Sequence, residues 1–335
     1  IYAIAAGNFV IVKPSEHARY TAQIVSELLN SIFKNKQVKV IVGDAETASA
    51  LTKLPFHHIF FTGSVEVGKK VLKAAADNLV HVTLELGGKS PTIIDSSFDL
   101  NIAAKRIAFA KFINAGQTCI APDFVLIHKS MLDQFCKLFT YHIDLLLENK
   151  GLECDHYVRI VNQHHFDRLV QLFNTQDSTE ALVYDKVKLM IKPIAIPITD
   201  WNHPLMKTEI FGPILPLLTF DDESELFSNL SKMDRPLNLY VFSEHQGFIN
   251  NVMKKTRSGG VTINECLLNY CNNYLPFGGD QHSGMGKTHG QFGFNLFSHQ
   301  RAITKQSFLP SVANMFTPPY SKMKVGIKNF LIKYF

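Results

Sequence analysis

Along the first third of the chain, apolar positions switch between two spacings. Phe9-Val10-Ile11-Val12 is a short β-branched run stopped by Lys13-Pro14-Ser15-Glu16, and such a run bounded by Pro predicts a buried strand. Residues 17–33 carry apolar side chains at helical spacing (Ala18, Ala22, Val25, Leu28, Leu29, Ile32), and residues 38–42 form a second β-branched run ended by Gly43-Asp44. The opening therefore reads as one βαβ unit. Ile59-Phe60-Phe61 then runs through Thr62-Gly63-Ser64-Val65-Glu66-Val67-Gly68 into a helical pattern that continues to Asn78. Strand, glycine-containing turn and helix in that order argue for a doubly wound sheet of the nucleotide-binding kind.

Residues 80–84 read as a further strand leading to Glu85, and residues 100–113 as a long helix leading toward Cys119, with a domain change at 86–90. Val125-Leu126-Ile127 predicts a strand, residues 130–148 a helix, and residues 220–263 a second αβ series. Residues 174–200 are less regular, broken by Pro193 and Pro197. Beyond 303 the pattern loosens through Pro310 and Pro318-Pro319 into a basic end, Lys322 to Phe335, which reads as a tail.

At 335 residues, with 46% hydrophobic and 19% charged residues, the chain has the make-up of a soluble globular protein with room for two cores. Its net charge of +5 is spread instead of gathered in basic runs, so nucleic acid is not an expected partner. Five cysteines without close pairing argue against a disulfide framework and for a reducing compartment. Cys266 and Cys271 lack zinc-knuckle spacing, and the neighbouring pairs His57-His58 and His164-His165 point different ways on any regular element, so no metal site is expected. The first residue is Ile1, and the chain is expected to begin within a domain. No apolar run reaches 18 residues, so no membrane-spanning helix is expected.

Two side chains carry the candidate chemistry. Cys119 closes Gly116-Gln117-Thr118-Cys119, a turn free of bulky neighbours, and a thiolate there is a strong nucleophile. Glu85 precedes Leu86-Gly87-Gly88, where a tight bend lets a carboxylate project into a cleft and activate water. Together they suggest covalent catalysis through a thioester. Gly63 to Gly68 could face a pyrophosphate with backbone amides, or be a plain strand-to-helix turn. Lys13 and Glu16 could hold ribose hydroxyls, or form a polar turn that Ser15 caps. Glu209-Ile210-Phe211-Gly212-Pro213 offers another carboxylate beside an aromatic ring, or an ordinary turn.

Taken in order, these motifs resemble the aldehyde dehydrogenase superfamily, and most closely its class 3 branch, which includes the fatty aldehyde dehydrogenases. The strings are Ala5-Ala6-Gly7-Asn8, Lys13-Pro14-Ser15-Glu16, Phe61-Thr62-Gly63-Ser64, Leu84 to Pro91, Gly116 to Asp123, Glu209 to Pro213 and Leu275-Pro276-Phe277-Gly278-Gly279; Ser283-Gly284-Met285-Gly286 and Phe297-Ser298-His299-Gln300-Arg301 point to class 3. The resemblance covers residues 1–320. It implies an α/β fold with two doubly wound αβ domains: a partial Rossmann-type dinucleotide-binding domain at 1–86, a catalytic domain at 87–302, and a C-terminal tail at 303–335.

The resemblance also implies roles. Cys119 attacks the aldehyde, the resulting thiohemiacetal yields a hydride to NAD or NADP, and Glu85 activates the water that hydrolyses the thioester. Lys13 and Glu16 contact the adenosine ribose, Gly63, Ser64 and Gly68 belong to the cofactor turn, and Glu209 and Phe211 hold the nicotinamide ribose and ring. It further implies an apolar aldehyde substrate, a homodimer, and a cytoplasmic location or, alternatively, the endoplasmic reticulum membrane surface, with weak membrane contact through the basic tail. The family carries about a hundred further N-terminal residues, including a Pro-Trp-Asn string whose asparagine serves the oxyanion hole; they are absent from this sequence. Asp280-Gln281-His282 replaces a small, glycine-containing run and is expected to crowd its loop, and residues 174–198 lack the usual paired glycines. A non-catalytic fragment acting as an interaction protein, or a cofactor-free thioester hydrolase, are the rival readings.

Overall fold

A computed structural model describes residues 1–34, 37–174, 181–308 and 311–334, in two compact units, Ile1–Ser298 and His299–Phe335. In the first, strand β1 (Val10–Val12), helix α1 (Arg19–Ile32) and strand β2 (Val38–Val40) form the expected βαβ unit, with β1 and β2 parallel. Strand β3 (His58–Thr62), helix α2 (Val65–Ala76) and strand β4 (His81–Glu85) follow, β3 lying parallel to β4. Polar residues cap these helices: Ser64 caps α2 by accepting a hydrogen bond from the Val67 amide, and Asp44 and Asp99 cap the helices Ala45–Thr52 and Leu100–Phe112 in the same way.

The larger sheet has six parallel strands. It is built from β5 (Pro91–Ile94), β6 (Phe124–His128), β7 (Ile194–Pro197), β8 (Ile214–Phe220), β9 (Asn238–Phe242) and β10 (Gly260–Ile263), in the order β10-β9-β5-β6-β8-β7. Helix α3 (Leu100–Phe112) and helix α4 (Leu132–Leu146) cover one face, and helix α5 (Gln163–Asn174) packs on the other. Both faces are buried, which is why these strands read as continuous apolar runs and not as alternations. Ile93, Leu126, Leu218 and Val241 point into one core; Ile94, Ile127, Leu217 and Tyr240 point into the other.

Three expectations change. The irregular stretch contains β7, an edge strand that ends on Pro197, where a proline costs no ladder hydrogen bond; residues 175–180 of that stretch lie outside the described residues. Asp280 and His282 do not crowd their loop, because Asp280 pairs with Arg235 at 2.9 Å and His282 with Asp234 at 3.2 Å. The C-terminal unit is more than a loose tail, since residues Lys322–Tyr334 form a helix, α6.

The N-terminal region is far less enclosed than the six-stranded sheet. On α1 only Ala22 is buried, and Tyr20, Ile24, Leu28 and Ile32, one helical turn apart, are all exposed. Phe9 is 81% exposed.

Candidate active site

The carboxyl ends of the N-terminal strands face the amino ends of the six-stranded sheet, and the predicted site residues collect where they meet. Lys13 and Glu16 follow β1, Gly63 and Ser64 follow β3, and Glu85 is the last residue of β4. Cys119 lies in the loop before β6, and Glu209 and Phe211 lie just before β8. All of these line one open cleft of about 3790 Å³. Ligand pockets usually measure roughly 300–1,000 Å³, so this cleft has room for two reactants at once.

The cysteine loop is held in an unusual shape. Asn114, Ala115 and Gly116 have φ of 54°, 53° and 75°, three successive left-handed residues that turn the chain sharply after α3. Gly116 cannot be replaced without a clash, because a Cβ there would lie 2.3 Å from the Gly212 carbonyl oxygen. Gln117 pins the loop: its amide donates to the carbonyls of Asn114 at 3.0 Å and Arg159 at 3.2 Å, and its Oε1 accepts from the Val161 amide at 2.9 Å. The Tyr240 hydroxyl donates to the Ile120 carbonyl at 2.5 Å. Backbone strain of about 1–3 kcal/mol at each non-glycine left-handed residue persists only where surroundings enforce it, as they do here. Cys119 is thereby fixed at the cleft wall, partly buried. Its thiol is pushed up to about 11 by burial and by the negative charges of Glu209 and Glu85.

Glu85 is 7% exposed, and Oε2 has no hydrogen-bond partner. Thr288 Oγ1 stands 3.5 Å from Oε1, and a Cβ at Gly278 would meet that oxygen at 3.1 Å. Burial raises its pKa to about 7, against the opposing pull of the Lys287 ammonium and the Thr288 hydroxyl. A carboxyl poised there exchanges protons readily near neutral pH.

Glu209 lies against Gly87, at a position where any side chain on Gly87 would coincide with its carboxylate. Burial first, and Asp123 second, raise Glu209 to about 7, while the Gly88 amide, Lys89 and Lys111 oppose them. Its turn is fastened on both sides: the Ile210 amide donates to Asp123 at 2.9 Å, and the Arg168 guanidinium donates to the Ile210 carbonyl at 2.6 Å. Phe211 has φ of 48° and is exposed to the cleft.

The remaining predicted residues divide. Lys13 and Glu16 are paired with each other at 2.5 Å, and both face the cleft. Ser15 does cap the next turn, accepting from the His17 amide at 3.3 Å, as the polar-turn reading of this segment expects. Gly63 and Ser64 line the cleft; Gly68 does not, and is instead the point where α2 packs on Leu86, since a Cβ there would meet Leu86 at 2.8 Å. Among the described residues no group of three or more His, Cys, Asp or Glu could hold a metal ion.

Sequence reasoning gave no role to five charged residues that shape this site. Lys89 forms a buried ion pair with Asp123, beneath Glu209, and donates to the Leu205 carbonyl at 2.7 Å. Arg168 fastens the Glu209 turn through the Ile210 carbonyl, and Lys287 acts on Glu85. Lys111, at the end of α3, is fully buried and its ammonium has no hydrogen-bond partner. The available signal was a lysine inside the apolar string Phe109-Ala110-Lys111-Phe112.

Burial lowers the Lys111 pKa from 10.5 to about 8, against the attraction of Asp123. Below pH 8 both folded and unfolded chains carry the charge, and the folded chain alone bears the full cost of burying it. Between pH 8 and 10.5 the folded chain sheds its proton first, so stability rises with pH through that window. Lys111→Met is therefore expected to raise the unfolding free energy at pH 7 by on the order of 3 kcal/mol, from about 1.4 kcal/mol per pH unit of displacement. Urea unfolding at pH 7 and pH 10 checks this: the gain should shrink at the higher pH, and equal stability of the two chains at pH 7 would contradict it.

A profile of the Aldehyde dehydrogenase family matches residues 1–303. The chain is 39% identical over 335 residues to the 4,4'-diaponeurosporen-aldehyde dehydrogenase of Staphylococcus aureus, an alignment covering 98% of this chain and 72% of that protein. It is 42% identical over 336 residues to mouse (Mus musculus) aldehyde dehydrogenase family 3 member A2, covering 99% of this chain and 69% of that one. Among solved structures, the substrate-bound state of Staphylococcus aureus AldH superposes with a TM-score of 0.92 at 39% identity, over 99% of this chain and 72% of that one. A Mycobacterium tuberculosis aldehyde dehydrogenase complexed with NAD+ gives a TM-score of 0.79 at 25% identity, over 90% of this chain and 65% of that one.

Proposed function

The chain belongs to the aldehyde dehydrogenase family, and from that premise we propose that it oxidises an apolar, long-chain aldehyde to its carboxylate through a Cys119 thioester. The observation that carries this reading is the meeting of Cys119, Glu85 and Glu209 in one cleft, with both carboxyls displaced to about 7. A buried thiol beside two carboxyls gives up its proton as it attacks the aldehyde carbon, and a neighbouring carboxylate accepts it. Glu85, ionised, then takes a proton from the water that attacks the thioester carbonyl; the C–S bond breaks and the thiol is restored as the acid leaves.

The residues present fit a dinucleotide, NAD or NADP, which when bound supplies the hydride acceptor. Residues 1–86 would hold it and residues 87–302 would hold the reacting aldehyde. Lys13 and Glu16 stand where parallel strands place ribose contacts, beyond the carboxyl end of β1. The first turn of α2 offers its amides beside Gly63 and Ser64. Glu209 acts on the Cys119 thiol, and Phe211 and Arg168 line the same cleft. His165, whose Nδ1 is buried without a partner, lines the same wall and can donate to a ribose hydroxyl.

An apolar substrate is supported by Ile120, Phe277, Tyr270, Trp201, Met206 and Leu172 on the cleft walls, and by the apolar aldehyde that the staphylococcal relative is named for. The C-terminal helix α6 sets Lys324, Lys328 and Lys333 among exposed Phe330 and Ile332, which supports weak contact with the cytoplasmic face of the endoplasmic reticulum membrane; among the described residues no helix is long and apolar enough to cross one. A homodimer completes the reading, as the name of a 37% identical mouse relative, aldehyde dehydrogenase, dimeric NADP-preferring, suggests.

The test is reduced-cofactor formation with acetaldehyde, octanal and hexadecanal. Each buried CH₂ contributes about 0.8 kcal/mol, so kcat/KM is expected to rise at least tenfold from the shortest to the longest. A flat series would remove the long-chain assignment, and no reduced cofactor with any aldehyde from a folded chain would favour the non-catalytic fragment.

A further inference from the structure

Glu85 is answered from one side by a lysine that the reaction scheme above does not use. The loop after strand β11 (Gly284–Met285) carries Lys287 and Thr288 back against β4, since β11 pairs antiparallel with β4 and Gly284 is opposite Glu85 itself. Thr288 is 5% exposed and divides its hydroxyl between Glu85 Oε1 at 3.5 Å and the Phe277 carbonyl at 3.2 Å. Lys287, partly buried, sends its ammonium to three main-chain oxygens: Gly278 at 2.5 Å, Gly259 at 3.2 Å and Gly279 at 3.2 Å. Those contacts join Gly259, the residue before β10, the Gly278-Gly279 segment and the β11 loop into one wall of the Glu85 pocket. Gly278 forms the floor, with φ of 151°, and a Cβ there would stand 3.1 Å from Glu85 Oε1.

We propose that Lys287 is a positioning residue for thioester hydrolysis: it clamps this wall in place and sets a fixed positive charge facing the Glu85 carboxylate, favouring the ionised form that deprotonates water. The charged groups that face Glu85 are few. Lys287 is the cation; Cys119 lines the same cleft, where the Glu85 charge makes its thiol harder to ionise; Asp280 faces Lys287 and tempers its charge, but is itself paired with Arg235. Burial opposes ionisation of Glu85, and Lys287 is the largest influence in the other direction. Three carbonyl contacts hold the ammonium without neutralising it, which a carboxylate partner would do. The proposal rests on the assignment of Glu85 as the hydrolytic base, and the test separates the two.

The experiment is a pH titration of the Glu85 carboxyl carbon by NMR in the full chain labelled with 13C-glutamate, the signal being assigned by its loss in Glu85→Gln. The midpoint is expected near 7 in the native chain, about one pH unit higher in Lys287→Gln, and back near 7 in Lys287→Arg. Glutamine keeps N–H donors for the carbonyls without the charge, so a purely structural clamp would leave the midpoint unmoved in Lys287→Gln. Lys287→Met provides a second neutral variant should Lys287→Gln not fold. In steady-state turnover the acid limb should move by the same interval, with KM for the aldehyde changed less than twofold. An unmoved midpoint in either folded neutral variant overturns the proposal, whatever the turnover. A moved midpoint with turnover that does not depend on Glu85 upholds the charge coupling and removes Glu85 as the hydrolytic base.

Discussion

Cys119→Ser is expected to lower steady-state formation of reduced cofactor by at least about 10³-fold, with the unfolding free energy changed by less than about 1 kcal/mol. The hydroxyl is nearly isosteric with the thiol and the loop is held by groups other than Sγ, namely Gln117, Tyr240 and the left-handed run from Asn114 to Gly116. Geometry therefore survives while chemistry does not, because serine at this position has no adjacent base strong enough to ionise it and its ester would be a poorer intermediate. The thiol itself is displaced to about 11, so alkylation of Cys119 by iodoacetamide should accelerate steadily from pH 7 to pH 10 in the native chain and disappear from Cys119 in the variant. Residual turnover within tenfold of the native rate would mean that another group carries the nucleophilic step.

Glu85→Gln should separate the two halves of the reaction. With the base neutralised, hydride loss still occurs and hydrolysis stalls, so a burst approaching one reduced cofactor per chain is expected, followed by turnover slower by about 10²–10⁴-fold. The pH dependence has a definite sign. Glu85 acts ionised and its pKa is about 7, so native hydrolysis should rise through pH 7 and level above it, and the variant should lose that limb. The same displacement bears on stability: a carboxyl raised above its ordinary value is uncharged in the folded chain while the unfolded chain has already ionised, so between about 4.5 and 7 the contribution of Glu85 falls as pH rises. A variant without a burst, whose steady rate still climbs through pH 7, would place the base elsewhere.

Much of this architecture was legible because its causes are local. The six-stranded sheet is buried on both faces, so β6 reads as an unbroken apolar run and β9 falls within the expected αβ series, and Cys119 and Glu85 stand in short glycine-containing strings that bring them to one cleft. The strand β7 was hidden by its prolines, which punctuate sequence but are harmless at a sheet edge. Helix α1 shows the limit of periodicity: the spacing of Ala22, Val25, Leu28, Leu29 and Ile32 gives a helix with an apolar side, yet says nothing of what that side meets, and Leu28 and Ile32 are exposed here. The supporting charges were harder still. Lys111, Lys89, Asp123 and Glu209 act on one another across elements that are scores of residues apart, and only the fold brings them together. Lys287 lies two hundred residues from Glu85 and reaches it through the pairing of β11 with β4, a register no local pattern encodes.

The most direct test of the Cys119–Glu85 assignment is mass spectrometry of Glu85→Gln quenched in acid seconds after mixing with NAD and hexadecanal. A covalent acyl group of the fatty acid's mass on the peptide containing Cys119, sensitive to hydroxylamine, is the predicted result. An unmodified Cys119 peptide in a sample that has already formed reduced cofactor would contradict the thioester and, with it, the roles given to both residues.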